Sequence, residues 1–329
     1  MKRLIIGGCI AAACCWAQTA AGQAYSAGSG QAYPSKPIRF IVPWSAGSGT
    51  DLMARAFAQE LTKALGQQVV VDNRGGAGAM IGTETAARSA PDGYTIYIGG
   101  SVSMSISPAL YPKVGYDPVK DFAPVSLVSR FFNALSVHPS VPVRSVKELV
   151  AFARARPGEL LMGSAGNGST SHLAGELFKQ LAKVNLMHVP YKSGGQLVVG
   201  VLSGESHLSF SPVSTALIPM KSGRLRTLGV SSARRLAALP DLPAISETVP
   251  GYEFGGWQAI FTPAGTPQEI IARLNGGILK AISAQEFKDY LLREGSDLVG
   301  SAPAELASFL RADVKKNHDL IRSAGIKLQ

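Results

Sequence analysis

Two runs of small and hydroxylated residues carry the chemistry this chain could perform. In IVPWSAGSGTDLMARAF, residues 41–57, Ser45, Ala46, Gly47, Ser48 and Gly49 separate a hydrophobic run from an amphipathic one. In GSAGNGSTSHLAGELFKQL, residues 163–181, Ser164, Ala165, Gly166, Asn167 and Gly168 occupy the same position. Each run offers hydroxyls and unshielded backbone N–H groups beside a helix start, the positive end of the helix dipole. Such a loop is either an anion seat or a tight strand-to-helix turn that uses small residues only for geometry. Nucleotide phosphate motifs do not fit. After Gly47 and Gly49 the third glycine of a dinucleotide fingerprint is replaced by Leu52, and no Gly-Lys-Ser/Thr ending is present.

The elements that must hold these loops follow from spacing. Ile38, Phe40, Ile41 and Val42, closed by Pro43, suit a strand. Leu52, Met53, Ala56, Phe57 and Leu61 recur at helical spacing, with Thr50 or Asp51 as the expected N-cap. VVVDNR (69–74), a glycine-rich turn GGAGAMIG (75–82), a short helix through Ala87 and YTIYIGG (94–100) continue the alternation. The pattern restarts near residue 130: NALSVHP as a strand, a helix capped by Ser145 with Glu148 three positions on, then LLMGSAG running into the second loop. GGWQAIFTPAGTP, a helix from Pro267 through Ile282 and a last helix from about Pro303 to Ala324 complete the chain. This is the grammar of an α/β fold with mixed, mostly parallel sheets flanked by helices. Ligands of such sheets bind outside the carboxyl ends of the strands, where both loops lie.

At 329 residues two lobes are expected, with a cleft between them. The expected organisation is a first lobe over 33–131, a second over 132–254 and a return to the first over 255–329, so that two crossings make a hinge. MKRLIIGGCIAAACCWAQTAAGQA, residues 1–24, reads as a secretory signal, which places the mature protein in a bacterial periplasm. Cys9, Cys14 and Cys15 all lie within it and none follows a convincing lipobox, so the mature chain is expected to have no disulfide, thiolate or cysteine metal site. The net charge of +10 falls to +8 without Lys2 and Arg3, and the basic residues are scattered rather than interleaved with aromatics, which argues against nucleic acid.

An enzyme fits poorly. A serine hydrolase elbow needs Gly two residues before its nucleophile, but Met162 precedes Ser164 and Pro43 precedes Ser45 at that distance. The five histidines make no close metal spacing.

With these segments in view, the chain resembles the Bug family of solute-binding proteins, the extracytoplasmic receptors of tripartite tricarboxylate transporters. The resemblance rests on YPSKPIRFIVPWSAGSGTDLMAR, VVVDNRGGAGAMIGT, APDGYT, GSAGNGSTSHLAGELF, HVPYKSGG, FTPAGTP and SAGIKLQ, and covers roughly residues 33–329. It implies a two-lobed, hinge-closing fold of the type II periplasmic-binding-protein kind. It also implies a small carboxylate held between the lobes without a cofactor or metal, a monomeric receptor, and membrane permease subunits as partners. Carried over by position, Ser45 to Thr50 and Ser164 to Gly168 grip the carboxylate through amides, hydroxyls and ordered water, and Asp51 matches a Thr-Asp pair that orders the loop. Transport is the expected use, with a ligand sensor as the alternative.

Further residues are weighed individually. Trp44, at the base of the first loop, either stacks on a ligand or packs beneath the loop. Ser101 and Ser103 follow YTIYIGG at another strand end and are placed to hydrogen-bond a ligand. His172 is either a pH-sensitive donor or a packed helix residue. Tyr191 offers a wall hydroxyl. Ser211 stands where many relatives carry an acidic residue, which argues against an amino-acid ligand.

Overall fold

A computed structural model describes residues 33–326. The signal reading for residues 1–24 falls outside them.

The first α/β units form as their sequence periodicities require. β1 (Ile38–Val42) leads through the first loop into α1 (Gly49–Leu65), and β2 (Val69–Asn73) leads through the glycine-rich turn into α2 (Met80–Ala87). The N-cap of α1 is Ser48, whose hydroxyl accepts from the Asp51 amide. The expected Thr50 and Asp51 lie inside the first turn, because a serine two or three positions earlier can already satisfy an orphan N–H. β3 (Thr95–Gly100) runs into a π-helical turn, Val102–Ile106, and α3 (Ser107–Leu110). β4 (Phe122–Val137) then extends for 16 residues, well beyond the NALSVHP run.

The second half continues with α4 (Val146–Ala155), β5 (Leu161–Ser164), α5 (Thr170–Ala182), β6 (Met187–Pro190), α6 (Gly194–Leu202), β7 (Leu208–Pro212), α7 (Val213–Lys221) and β8 (Arg226–Val230). β9 (Gly255–Pro263), α8 (Gln268–Ile282), α9 (Gln285–Arg293), β10 (Ser296–Leu298) and α10 (Pro303–Ser323) close the chain. Pro267 is the cap residue of α8 rather than its first helical position. It lacks the N–H that a first turn would leave unpaired in any case.

The strands join in the order β2-β1-β3-β9-β4-β7-β5-β6, with β8 and β10 also on β4. β1, β2 and β3 pair in parallel, as do β5, β6 and β7, so each end of the sheet keeps the parallel α/β character. The antiparallel pairs all involve the two connecting strands: β9 on β3 and β4, and β7, β8 and β10 on β4. Residues 122–132 of β4 pair with β9 and residues 133–137 pair with β7 and β8, so one strand belongs to both ends of the sheet.

Separate cores lie on either side of this shared strand. Phe40, Phe57, Leu61, Ile96, Leu274 and Phe287 pack one face of the first end, and Tyr97, Phe122, Trp257, Phe261 and Leu306 the other. Leu149, Met162, Phe178, Phe210 and Tyr252 form the core of the second end. α10 enters both: Leu306 and Leu310 lie in a first-end core, whereas Leu320 and Ile321 lie in the second. Midway along it, Asp313 Oδ2 accepts from the Trp257 indole at 2.8 Å and from Ser105 Oγ at 2.7 Å. The helix is thereby tied to β9 and to the π-helical turn.

Candidate functional site

The first loop is held from below by Asp51, which is only 1 % exposed. Its Oδ2 accepts from the Gly47 amide at 2.8 Å and from Arg55 Nε at 3.0 Å, while Oδ1 accepts from Asn73 Nδ2 at 2.9 Å. Burial pushes this carboxyl up, but the hydrogen bonds from Arg55, Gly47 and Asn73 outweigh it and hold the pKa below the ordinary carboxylate value. Asp51 is thus an ionised, fully engaged strut. The Gly47 N–H is consumed in holding it. Asn73 also donates to the Trp44 carbonyl at 3.1 Å, so β2 fixes both sides of the loop.

Above this strut lies a cavity of about 210 Å³, walled by Trp44, Thr50, Ser101, Thr170, Trp257 and Gln258. A second cavity of about 240 Å³ adjoins it, with Thr50, Phe131, Pro212 and Gln258 in both walls. Neither wall includes a Lys, Arg or His among the described residues. Helix starts supply the positive character instead: Gly49 and Thr50 of α1, Thr170 of α5 and, in the second cavity, Val213 and Ser214 of α7. First-turn amides have no partner within their own helix and favour an anion. Gln258 Nε2 donates to Thr50 Oγ1 at 3.2 Å, and Ser129 Oγ lies 3.3 Å from Gln258 Oε1. Thr50 therefore accepts from the protein and keeps its own proton to donate.

The sequence-derived residues divide by what their polar groups already do. Trp44, Thr50 and Ser101 face the first cavity, and Gly49 the second. Ser45 and Ala46 are exposed at the rim, and Ser48 is engaged as the cap. Ser103 also lines the first cavity, but its hydroxyl is bound to Tyr97 Oη at 2.9 Å and to the Gly100 amide at 3.2 Å.

The second loop is folded on itself. The Ala165 amide donates to Ser171 Oγ at 2.9 Å, the Gly166 amide to Ser164 Oγ at 3.2 Å and the Gly168 amide to His172 Nδ1 at 3.2 Å. Asn167 is exposed and, with Ala165, Gly168 and Lys192, lines a neighbouring depression that shares Trp44 and Val102 with the first cavity. His172 is buried and stacks on His188 with ring centroids 3.8 Å apart. His188 in turn shares a 2.6 Å hydrogen bond with Ser164 Oγ. Burial, then the adjacent His172, pushes the His188 pKa down to about 4, so this ring is neutral at ordinary pH.

Tyr191 does not reach either cavity wall. Its hydroxyl is bound to Ser206 Oγ at 2.9 Å and its ring packs against Gly200. Ser211 shares a 3.0 Å hydrogen bond with Ser209 within β7 and lies outside both walls. Thr170, Phe131, Pro212, Trp257 and Gln258 were not among the residues expected from sequence. The junction of β7 with α7 repeats the strand-to-helix grammar and could have flagged Pro212. The Gln258 signal is one amide within the apolar GGWQAIFTP run. Asn133, fully buried on β4, donates to the Thr170 carbonyl at 3.4 Å and has no protein partner for its Oδ1.

Comparison with known proteins gives a consistent set of likenesses. Residues 53–326 match the family model of the tripartite tricarboxylate transporter family receptor. The chain is 34 % identical to Protein BugT of Bordetella pertussis over 303 residues, covering 92 % of this chain and 93 % of that one. Among solved structures, R. palustris Rpa4515 with adipate is similar at 34 % identity and a TM-score of 0.79, covering 90 % of this chain and 99 % of that one. MatC from Rhodopseudomonas palustris with bound malate is similar at 28 % identity and a TM-score of 0.74, covering 88 % of this chain and all of that one.

Proposed function

Because the chain belongs to the family of tripartite tricarboxylate transporter receptors, we propose that it captures a small carboxylate in the cleft around Thr50, Ser101 and Thr170 and delivers it to membrane permease subunits outside the cytoplasm. The observation that carries this reading is the donor set. A cavity walled by two helix starts and by hydroxyls, with no lysine, arginine or histidine among its described lining residues, suits a small anion held by backbone amides. The adipate and malate of the two structural relatives are carboxylates of suitable size.

The mechanism is capture without chemistry. Thr50 donates from the first lobe, over 33–131 and 255–329, and Thr170 from the second, over 132–254. A ligand bound to both stabilises the closed arrangement over any open one, and closure creates the composite surface a permease would read. A pairing of serine, base and oxyanion donors is missing from the described cavity walls: neither contains a histidine, and the one carboxylate, Glu294, lines the second cavity, which does not include Ser101.

Native mass spectrometry of the exported protein, followed by thermal-shift titration with mono-, di- and tricarboxylates, tests the reading. The expected result is a carried-over or stabilising acid. A folded protein that none of these acids stabilises would remove the carboxylate assignment.

A further inference from the structure

The second cavity differs in chemistry from the first. Its walls are largely apolar (Met53, Phe131, Val213, Tyr290 and Leu291), and Glu294 is the one carboxylate among its described lining residues. Glu294 is half-buried at the C-terminal end of α9, where the negative end of that helix adds to its charge. Among the described residues it has no ion-pair partner, unlike Asp51, Asp72 and Glu247, which each hold an arginine. Near it stand the first turn of α7, whose Val213 Cγ1 would lie 2.5 Å from a Cβ on the adjoining Gly295, and the Thr215 side chain, whose hydroxyl donates back to the Pro212 carbonyl at 2.8 Å. The cavity thus gathers an acceptor and the first-turn donors of α7 in one largely apolar lining that also includes Thr50 and Gln258. Tyr290, on the α9 side, is pushed up to about 12 by burial and by Glu294, and so remains a neutral phenol.

Resting on the carboxylate reading above, we propose that the second cavity selects the far end of the ligand: an apolar or aromatic body that ends in a hydroxyl, and not in a second carboxylate. A hydroxyl accepts from the α7 amides and donates to Glu294, and so uses both kinds of group. A second carboxylate meets Glu294 as a like charge in a partly desolvated space, which costs affinity. Glu294 and Phe131 are then the specificity-determining residues, and the first cavity holds the shared carboxylate.

The test is isothermal titration of the full chain with two matched sets of acids at neutral pH. One set is hexanoate, ω-hydroxyhexanoate and adipate. The other is phenylpropionate, para-hydroxyphenylpropionate and para-carboxyphenylpropionate. In at least one set the hydroxy acid is expected to bind about tenfold or more tighter than the diacid. Glu294→Gln is expected to tighten the diacid about tenfold while changing the unsubstituted acid less than about twofold. Glu294 has no ion pair to lose, and the wild-type series decides the matter even if the variant proves unstable. If the diacid binds as well as or better than the hydroxy acid in both sets, or if Glu294→Gln leaves the diacid unchanged, the inference is wrong while the carboxylate reading stands. If no acid of either set binds, both fall.

Discussion

Gly49 is the residue at which the anion seat is most open to attack. It is the first helical position of α1, it lines the second cavity beside Thr50, and a Cβ placed there meets no atom within 4 Å. Gly49→Asp therefore adds a negative charge to the helix start next to the seat without a clash, and an acidic side chain in a first turn favours the helix by about 0.3–1 kcal/mol. Carboxylate affinity is expected to fall at least about a hundredfold, roughly 2.7 kcal/mol, with the melting temperature unchanged or slightly raised. Unaltered affinity in titration calorimetry would exclude this helix start from the site. Gly47 is a poorer probe, because its φ of +81° strains any side chain and confounds charge with backbone. Asp51→Asn gives the complementary result: one amide oxygen can still accept from Gly47 and Arg55, but its NH2 then faces Asn73 Nδ2, donor against donor, and the charge paired with Arg55 is lost. A loss of about 1–3 kcal/mol is expected in denaturant titration. The folded Asp51 pKa lies below its unfolded value. Its contribution is complete above the unfolded value and is lost as pH falls through the folded one, so the variant and wild type should converge at strongly acid pH.

Between elements, packing of helix against strand decides whether these residues stay in place. α2 lies so close to the end of β1 that a Cβ on Gly82 would stand 2.5 Å from the Arg74 carbonyl oxygen and 2.7 Å from Pro43 Cα. Gly82→Ala has backbone and the rigid Pro43 ring to push against, and is expected to cost about 1–3 kcal/mol and to weaken ligand binding as Trp44 shifts with Pro43. Normal affinity in a destabilised variant would sever that link. The stacked His172 and His188 join α5 to β6 in the same way. Because the folded His188 pKa is about 4 against 6.5 for the free side chain, the folded state binds fewer protons between these values. Stability is therefore complete above about pH 6.5 and is lost as pH falls towards 4, and His188→Gln should flatten that part of a melting-temperature profile.

The same level shows what sequence reading could reach. The starts of α4 and α5 were legible because Ser145 and Ser169 cap within a few residues. The second loop looked like a twin of the first because the residue types match. The difference lies in Ser164, Ser171 and His172, which turn back on the loop's own amides. No periodicity encodes that turn. The π-helical turn and the length of β4 were likewise hidden, since residues 122–132 gain their strand character from pairing with β9 across more than a hundred residues of chain.

At the scale of the whole molecule, β4 contributes to both ends of the sheet and α10 to the cores of both. Neither end can melt without exposing the other's apolar surface, so calorimetry is expected to give one unfolding transition for the described body rather than two. Two resolved transitions would contradict this. A bound acid at a hundred times its Kd adds about 2.7 kcal/mol to that single transition by mass action, which gives a second check on any affinity measured by titration. Two lobes, an alternating chain and a cleft were legible from length and pattern. The tie made by α10 was not, because its amphipathic face carries no mark of which core each leucine enters.

The attachment of Asp313 to Trp257 and Ser105 has a kinetic reading. A helix fastened at its middle to the connecting strand and embedded at both ends acts as a tether, which limits how far the jaws can swing apart. How long a captured molecule stays would then depend on the slack in that tether as well as on the contacts in the cleft. Releasing it with Asp313→Ala should quicken ligand escape in stopped-flow measurements more than it slows entry, and the Trp257 indole, freed from its acceptor, would report the change in its own fluorescence.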